Sequence, residues 1–224
     1  GRKGKGGFYR LNKEGGKRVK EARNLSTGEY APANRRAAFS SAKMGKQGLA
    51  RLMDYPDEGA AFVTDVLLDT LSYAAHIAPQ VSDDIYSIDG AMKVGYNWKK
   101  GPFEMMDSIG VSSMAERLEA TGRNVPEMLV KAVERGSFYA IEDGEINRLT
   151  TDGSMVTVER PESTLTVADL KRRGKALKRN GSASIWDMGD DVLLVEYHSK
   201  MNAVDPFIVE MLVDAVDMAE SGDW

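Results

Sequence analysis

The sequence predicts a mainly α fold that carries a small antiparallel β meander and a strand-loop-helix tail. Three observations predict it. Apolar residues recur at three- and four-residue steps through much of 34–136, the period changes to alternation over 137–160, and the apolar run at 192–195 opens a last unit that closes with helical spacing. At 224 residues and 42% hydrophobic, the chain is long enough for one substantial core with appended pieces.

Composition narrows the chemistry. No run of about 18 apolar residues is present and no signal-peptide pattern opens the chain, so a soluble, cytoplasmic protein with no membrane partner is expected. The absence of cysteine excludes disulfides, thiolate metal ligands and a Cys nucleophile. With only His76 and His198 as histidines, neither a zinc site nor a hydrolytic triad is expected. Charge is uneven: residues 1–51 carry 14 Lys+Arg against 3 Asp+Glu, whereas residues 52–110 carry 3 against 10. A basic arm on an acidic body can meet phosphates, but with few aromatics interleaved it reads as a solvated linker, and no nucleic-acid partner is expected. "GRKGKGG", residues 1–7, imitates a phosphate loop without the Lys-Ser/Thr ending or the preceding strand that such a loop requires.

Residues 11–34 are rich in Gly, Lys, Arg and Asn with little periodicity and read as an irregular, exposed connector. A modestly amphipathic helix is expected from Asn34 to Met53. A long core helix follows, preceded by Pro56, started by Asp57 and Glu58 and closed by Pro79, with Val63, Leu67, Leu71, Ala74 and Ala78 on its apolar face. His76, inside it, reads as an ordinary histidine. A shorter helix is expected from the N-cap Ser82 to the stop at Gly95, with Ile85, Ile88 and Met92 inward. The next begins with Pro102 in its first turn, buries Phe103 and Met106 and ends at Gly110. A capping box from Ser113 to Glu116 opens another, and a last one spans Asn124 to Gly136. Asp143-Gly144 and Asp152-Gly153 then separate three short strands. Beyond Pro161, Thr166 caps a short helix that leads into a basic linker, "KRRGKALKR". The tail offers a strand at 183–187, a second at 192–197, and a helix from Pro206 to Glu220 with Ile208, Met211, Leu212, Ala215, Val216 and Ala219 on one face.

The stretch "IDGAMKVGYNWKKGPFEMMDSIGV", residues 88–111, resembles the helical C-terminal domain of the 3-hydroxyacyl-CoA dehydrogenase family. The residues that carry the likeness are Asp89, Gly95, Tyr96, Gly101, Pro102, Phe103, Glu104, Asp107 and Gly110. "GRKGKGGFYR" is similar to the segment that closes a first helical repeat in that family, which would make 34–136 a second repeat. The tail is similar to the first strand, loop and helix of the crotonase (enoyl-CoA hydratase) superfamily, with Asn202-Ala203 after the strand.

The resemblance implies five segments: 1–33, the end of a preceding repeat and a connector; 34–136, the helical domain; 137–160, the meander; 161–182, a linker; and 183–224, the truncated start of a crotonase-like domain. It also implies a parent enzyme of fatty-acid β-oxidation that uses NAD, with its Rossmann module and first repeat as neighbours and an acyl-CoA as substrate. No Gly-x-Gly-x-x-Gly after a strand and no context for a catalytic His-Glu pair occur here, so no cofactor site and no catalytic residue are expected in this chain. Lys200, Asn202 and Ala203 are the candidates for meeting the CoA nucleotide. Self-association is expected, because a repeat made to face another repeat exposes apolar surface. The tail, lacking the rest of its sheet, is expected to be mobile or to pair its strand with 183–187 and a neighbouring chain. The competing reading is a free-standing helical adaptor that meets an anionic partner through its basic arm.

Overall fold

The computed structural model describes residues 6–16, 18–33, 39–159, 161, 164–222 and 224. Contacts divide the chain into two units, 1–64 and 65–224. Most of the "GRKGKGG" stretch and the first five residues of the helix expected from Asn34 lie outside the described residues. No helix among the described residues is long and apolar enough to cross a membrane. Among the described residues helix outweighs strand, and every sheet is small and antiparallel.

The first unit departs most from expectation. The segment read as an irregular connector forms an antiparallel sheet of β1 (Tyr9–Asn12), β2 (Val19–Arg23) and β3 (Tyr30–Pro32). Polar and aromatic pairs hold it, which is why it leaves no apolar alternation. Glu21 accepts from Arg10 Nε at 2.6 Å and from Asn12 Nδ2 at 3.0 Å, and the Arg10 guanidinium lies 4.2 Å from the centre of the Tyr30 ring. Tyr30 Oη donates to the Gly7 carbonyl at 2.6 Å. The single helix expected to reach Met53 is broken into α1 (Ser41–Met44), a 3-10 turn, and α2 (Leu49–Met53). Gly48, at φ 117°, makes the break. Asp57 starts α3 (Glu58–Val81) by accepting from Ala60 N at 2.8 Å.

In the second unit α3 runs through Pro79 instead of closing there. So near the end, the ring forfeits one hydrogen bond and the last turn still forms. Leu71 and Ala78 are buried as expected, with Leu68 and Ala75 beside them, while the expected Val63, Leu67 and Ala74 are only half-buried. His76 is exposed. Helix α4 (Ile85–Tyr96) is capped by Asp84 and not by Ser82. Asp84 accepts from Tyr86 N at 3.0 Å and Ser87 N at 3.2 Å, while the Ser82 hydroxyl accepts from Asp84 N. The helix also passes Gly95, ending at the left-handed Asn97.

Helix α5 (Pro102–Ile109) has the expected ends and buries Phe103 and Met106. Gly110, at φ 99°, turns the chain directly into α6 (Val111–Ala120). Ser113 is therefore already inside that helix, and the expected Ser113–Glu116 capping box does not form. Helix α7 (Glu127–Arg135) begins after Pro126 instead of at Asn124 and ends at the left-handed Gly136. Phe103 meets Phe138 edge-on at 5.0 Å in the core that these helices share with Met106, Met114, Leu118 and Leu129.

The meander forms where alternation placed it, as β4 (Tyr139–Glu142), β5 (Glu145–Leu149) and β6 (Met155–Thr157). Asp143 (φ 50°) and Gly144 (φ 79°) close the first turn, both left-handed as a two-residue hairpin requires. Thr166 caps α8 (Val167–Arg173) through a reciprocal box with Asp169.

The basic stretch 171–179 is not a solvated linker: it begins in the last turn of α8 and ends in a strand. Lys171 pairs with Glu196 at 2.5 Å, Arg173 with Glu145 at 2.7 Å and Arg172 with Asp169. Lys178 and Arg179 form β7 (Lys178–Arg179), which joins β8 (Ala183–Asp187) and β9 (Leu193–Tyr197) in a third sheet. Helix α9 (Pro206–Ser221), capped by Asp205, covers that sheet with Ile208, Met211 and Ala215 against Ala183 and Ile185. The strand at 193–197 pairs with 183–187 as expected, and the tail has a core within the chain, with α9 packed on that sheet. Leu212, Val216 and Ala219, expected to point inward, are exposed because three narrow strands cover only one stripe of the helix.

Candidate functional site

The residues singled out in 88–111 converge on the start of α5. A helix begins with unpaired backbone N–H groups that a side-chain acceptor normally takes. Gly101, which precedes Pro102, has no side chain to supply one. Asp89 supplies it from α4: Oδ1 accepts from Phe103 N at 2.9 Å and Oδ2 from Glu104 N at 3.0 Å. Tyr139 Oη, on β4, donates to the same Oδ2 at 2.9 Å. The approach is so close that a Cβ on Gly101 would lie 2.3 Å from Asp89 Cβ and Cγ.

Glu104 closes the arrangement, with Oε2 accepting from Gly101 N at 2.9 Å and Oε1 from Lys93 Nζ at 2.6 Å. One turn on, Asp107 accepts from Phe138 N at 2.7 Å and Tyr139 N at 2.9 Å and so ties α5 to β4. Of the remaining residues in the string, Gly95 stands in open space, Tyr96 is largely exposed and its ring lies 6.5 Å from Trp98, and Gly110 makes the turn between helices.

Burial dominates the electrostatics. It pushes the Asp89 carboxyl up to about 6, against the three hydrogen bonds that favour the anion. It raises Asp107 as well, and it raises the Tyr139 phenol, with the Asp89 charge adding to the effect. Both aspartates use their two oxygens on backbone or phenol donors, so the cluster fastens α4, α5 and β4 together and offers no free acid or base. Lys93 and Tyr139 were not singled out in the sequence. Tyr139 stands 50 residues from Asp89, and no local pattern announces such a contact.

The other candidates lie on the loop between β9 and α9. Lys200 to Asn202 form a single 3-10 turn in which Met201 (φ 60°) and Asn202 (φ 54°) are left-handed. Ser199 Oγ closes the loop on the Ala203 carbonyl at 2.7 Å. Lys200, Asn202 and Ala203 are all exposed.

Just before this loop, Ser184 Oγ lies 2.7 Å from His198 Nε2, and Glu196 lies 4.0 Å from His198 Nδ1. The order is that of an acid-base relay. Ser184, however, is wholly buried, and Glu196 already takes Trp186 Nε1 at 3.0 Å and Lys171, so the three groups brace β8 against β9.

No family profile matches the chain and no solved structure matches it. Individual proteins do. The chain is 33% identical over 220 residues, 96% of its length, to the protein named probable 3-hydroxyacyl-CoA dehydrogenase of Bacillus subtilis (strain 168). It is 28% identical over 224 residues to a protein named as a fatty acid oxidation complex trifunctional enzyme in Rickettsia prowazekii (strain Madrid E). A protein of the same name in Rickettsia felis is 37% identical over 106 residues, 47% of this chain. The chain spans 27% of the length of the first two. These relatives support the 3-hydroxyacyl-CoA dehydrogenase family.

The resemblance implies a nicotinamide dinucleotide as cofactor of the parent enzyme, and the described strands do not form a site for one. Every strand pair among them is antiparallel, so the parallel-sheet crevice with a Gly-rich turn has no counterpart.

Proposed function

We propose that this chain is the helical packing and dimerisation domain of a multifunctional enzyme of fatty-acid oxidation that oxidises 3-hydroxyacyl-CoA with NAD. On this reading 183–224 begin an enoyl-CoA hydratase module of the crotonase type. The observation that carries the reading is the match along 96% of the chain to a relative named for the dehydrogenase activity. The hydride acceptor and the catalytic base belong to a Rossmann module elsewhere in the enzyme. What this chain supplies is a rigid support, the Asp89–Gly101–Tyr139 fastening, and an exposed loop where Lys200, Asn202 and Ala203 can meet a CoA phosphate, Lys200 as a point charge. The apolar outer face of α9 is the surface through which the isolated chain self-associates.

The test compares two proteins. The full-length enzyme should reduce NAD in the presence of a 3-hydroxyacyl-CoA, whereas the 224-residue chain should neither turn over nor bind NAD by calorimetry. An inactive full-length protein overturns the assignment of activity. Micromolar NAD binding by the 224-residue chain overturns the division of labour. A concentration-independent monomer in sedimentation overturns the packing role.

A further inference from the structure

An open cavity of about 620 Å³ lies beside the Asp89 cluster, within the size range of small-molecule sites. Its floor is apolar. Tyr139 and Ile141 are two apart on β4 and share one face of the sheet, and Ile146 is the cross-strand partner of Ile141. Ile141 is 62% exposed, an unusual amount for an isoleucine in a concave, otherwise ordered site. Tyr86, from the first turn of α4, provides a second aromatic wall.

Charge in the lining is asymmetric. Its two carboxylates are satisfied from within: Glu104 by Gly101 N and Lys93 Nζ, Asp107 by Phe138 N and Tyr139 N. Arg172, at the far rim, is held by Asp169 and the Gly144 carbonyl. Lys99 and Lys100, adjacent in the loop before α5, are exposed and form no ion pair among the described residues. The Asp107 carboxylate acts on Lys100 electrostatically without forming an ion pair with it, so the two ammonium groups over the open apolar floor are only partly balanced from within the lining.

We propose that this cavity binds a small amphipathic anion, its apolar body on Tyr139, Ile141 and Ile146 and its acidic head on Lys99 and Lys100. A neutral apolar molecule would leave the lysines unanswered, and a bare inorganic anion would leave the isoleucines wet. The proposal stands on this geometry and does not depend on the enzyme reading above.

Amide-shift titrations of the 224-residue chain with octyl phosphate, octanoate and octanol, each below its aggregation threshold, test it. Shifts of the Lys99, Lys100, Ile141 and Ile146 amides are expected with at least one of the two anions, and binding of octanol should be at least tenfold weaker. Tighter binding of the phosphate assigns a dianionic head shared by both lysines, and tighter binding of the carboxylate assigns a monoanionic one. Either result supports the site. The double variant Lys99→Glu/Lys100→Glu should lose at least tenfold in affinity. Ile141→Asp, a change at an exposed position, should do the same and serves if the double variant fails to fold. Equal binding of octanol, shifts confined to the outer face of α9, no shift with either anion, or unchanged affinity in a folded variant would each overturn the proposal.

Discussion

Gly101 has dihedral angles that any residue can adopt, φ −76° and ψ 173°, yet the site leaves no room for a methyl group. Its constraint is space, because the carboxylate of Asp89 occupies the volume where a Cβ would go. Gly101→Ala should lose about 3 kcal/mol in urea denaturation, the scale of overpacking against fixed neighbours. Gly95→Ala, inside α4 with nothing within 4 Å of its Cβ position, should instead gain about 0.5–1 kcal/mol. Equal effects at the two positions would mean that Asp89 does not pack as described.

Asp89 also predicts a pH signature. Its folded value of about 6 lies above the ordinary 3.8, so between those values the native state holds a proton that the unfolded state has released. Stability from this group therefore falls as pH rises from about 4 to about 6 and is level above. The difference between wild type and Asp89→Asn should slope downward across that window and flatten by pH 7, and a flat difference throughout would contradict the buried ionisation. Asp89, Glu104 and Asp107 were legible in the sequence because they sit in one short string. The donors they meet were not, since Tyr139 and the Phe138 amide arrive from a strand far along the chain.

At the scale of elements, legibility followed the source of the ordering force. The meander at Asp143-Gly144 was readable because its turn needs left-handed residues and its strands alternate. The sheet at Tyr9–Pro32 was not, because Arg10, Glu21 and Tyr30 hold it through charge and ring contacts that composition reads as a solvated arm. The broken helix before Met53 hid for another reason: Gly48 disrupts a backbone while the apolar spacing on either side continues.

The tail shows what an apolar run alone leaves open. Consecutive apolar residues at 192–195 suggested a strand covered on both faces, whereas β9 is half-buried throughout and α9 covers the one face that carries Leu193, Val195 and Tyr197. Met211→Ala should open a cavity in that core and cost about 2–4 kcal/mol. Hydrogen exchange should then rise in β8, β9 and α9 and stay unchanged in α5 and α6. Rapid exchange of Ile208 and Ala215 in the wild type would show that the tail core is not formed.

At the scale of the whole molecule, each of the three sheets among the described residues is assembled from strands adjacent in sequence: β1-β2-β3, β4-β5-β6 and β7-β8-β9. That regularity made the broad class accessible, since no parallel crossover had to be inferred, only which segments alternate. It also says something about time. A strand that pairs with its sequence neighbour closes a short loop, and the entropy of closure grows with loop length, so little searching precedes each pairing. Hairpins of this kind form in about 1–10 μs, sooner than elements that wait for distant partners. The Asp143-Gly144 hairpin can therefore exist before α5 finds it. On that order the Asp107 and Asp89 carboxylates are expected to latch onto a strand that is already paired, so that β4 and β5 amides gain protection from hydrogen exchange before those of α5 during refolding.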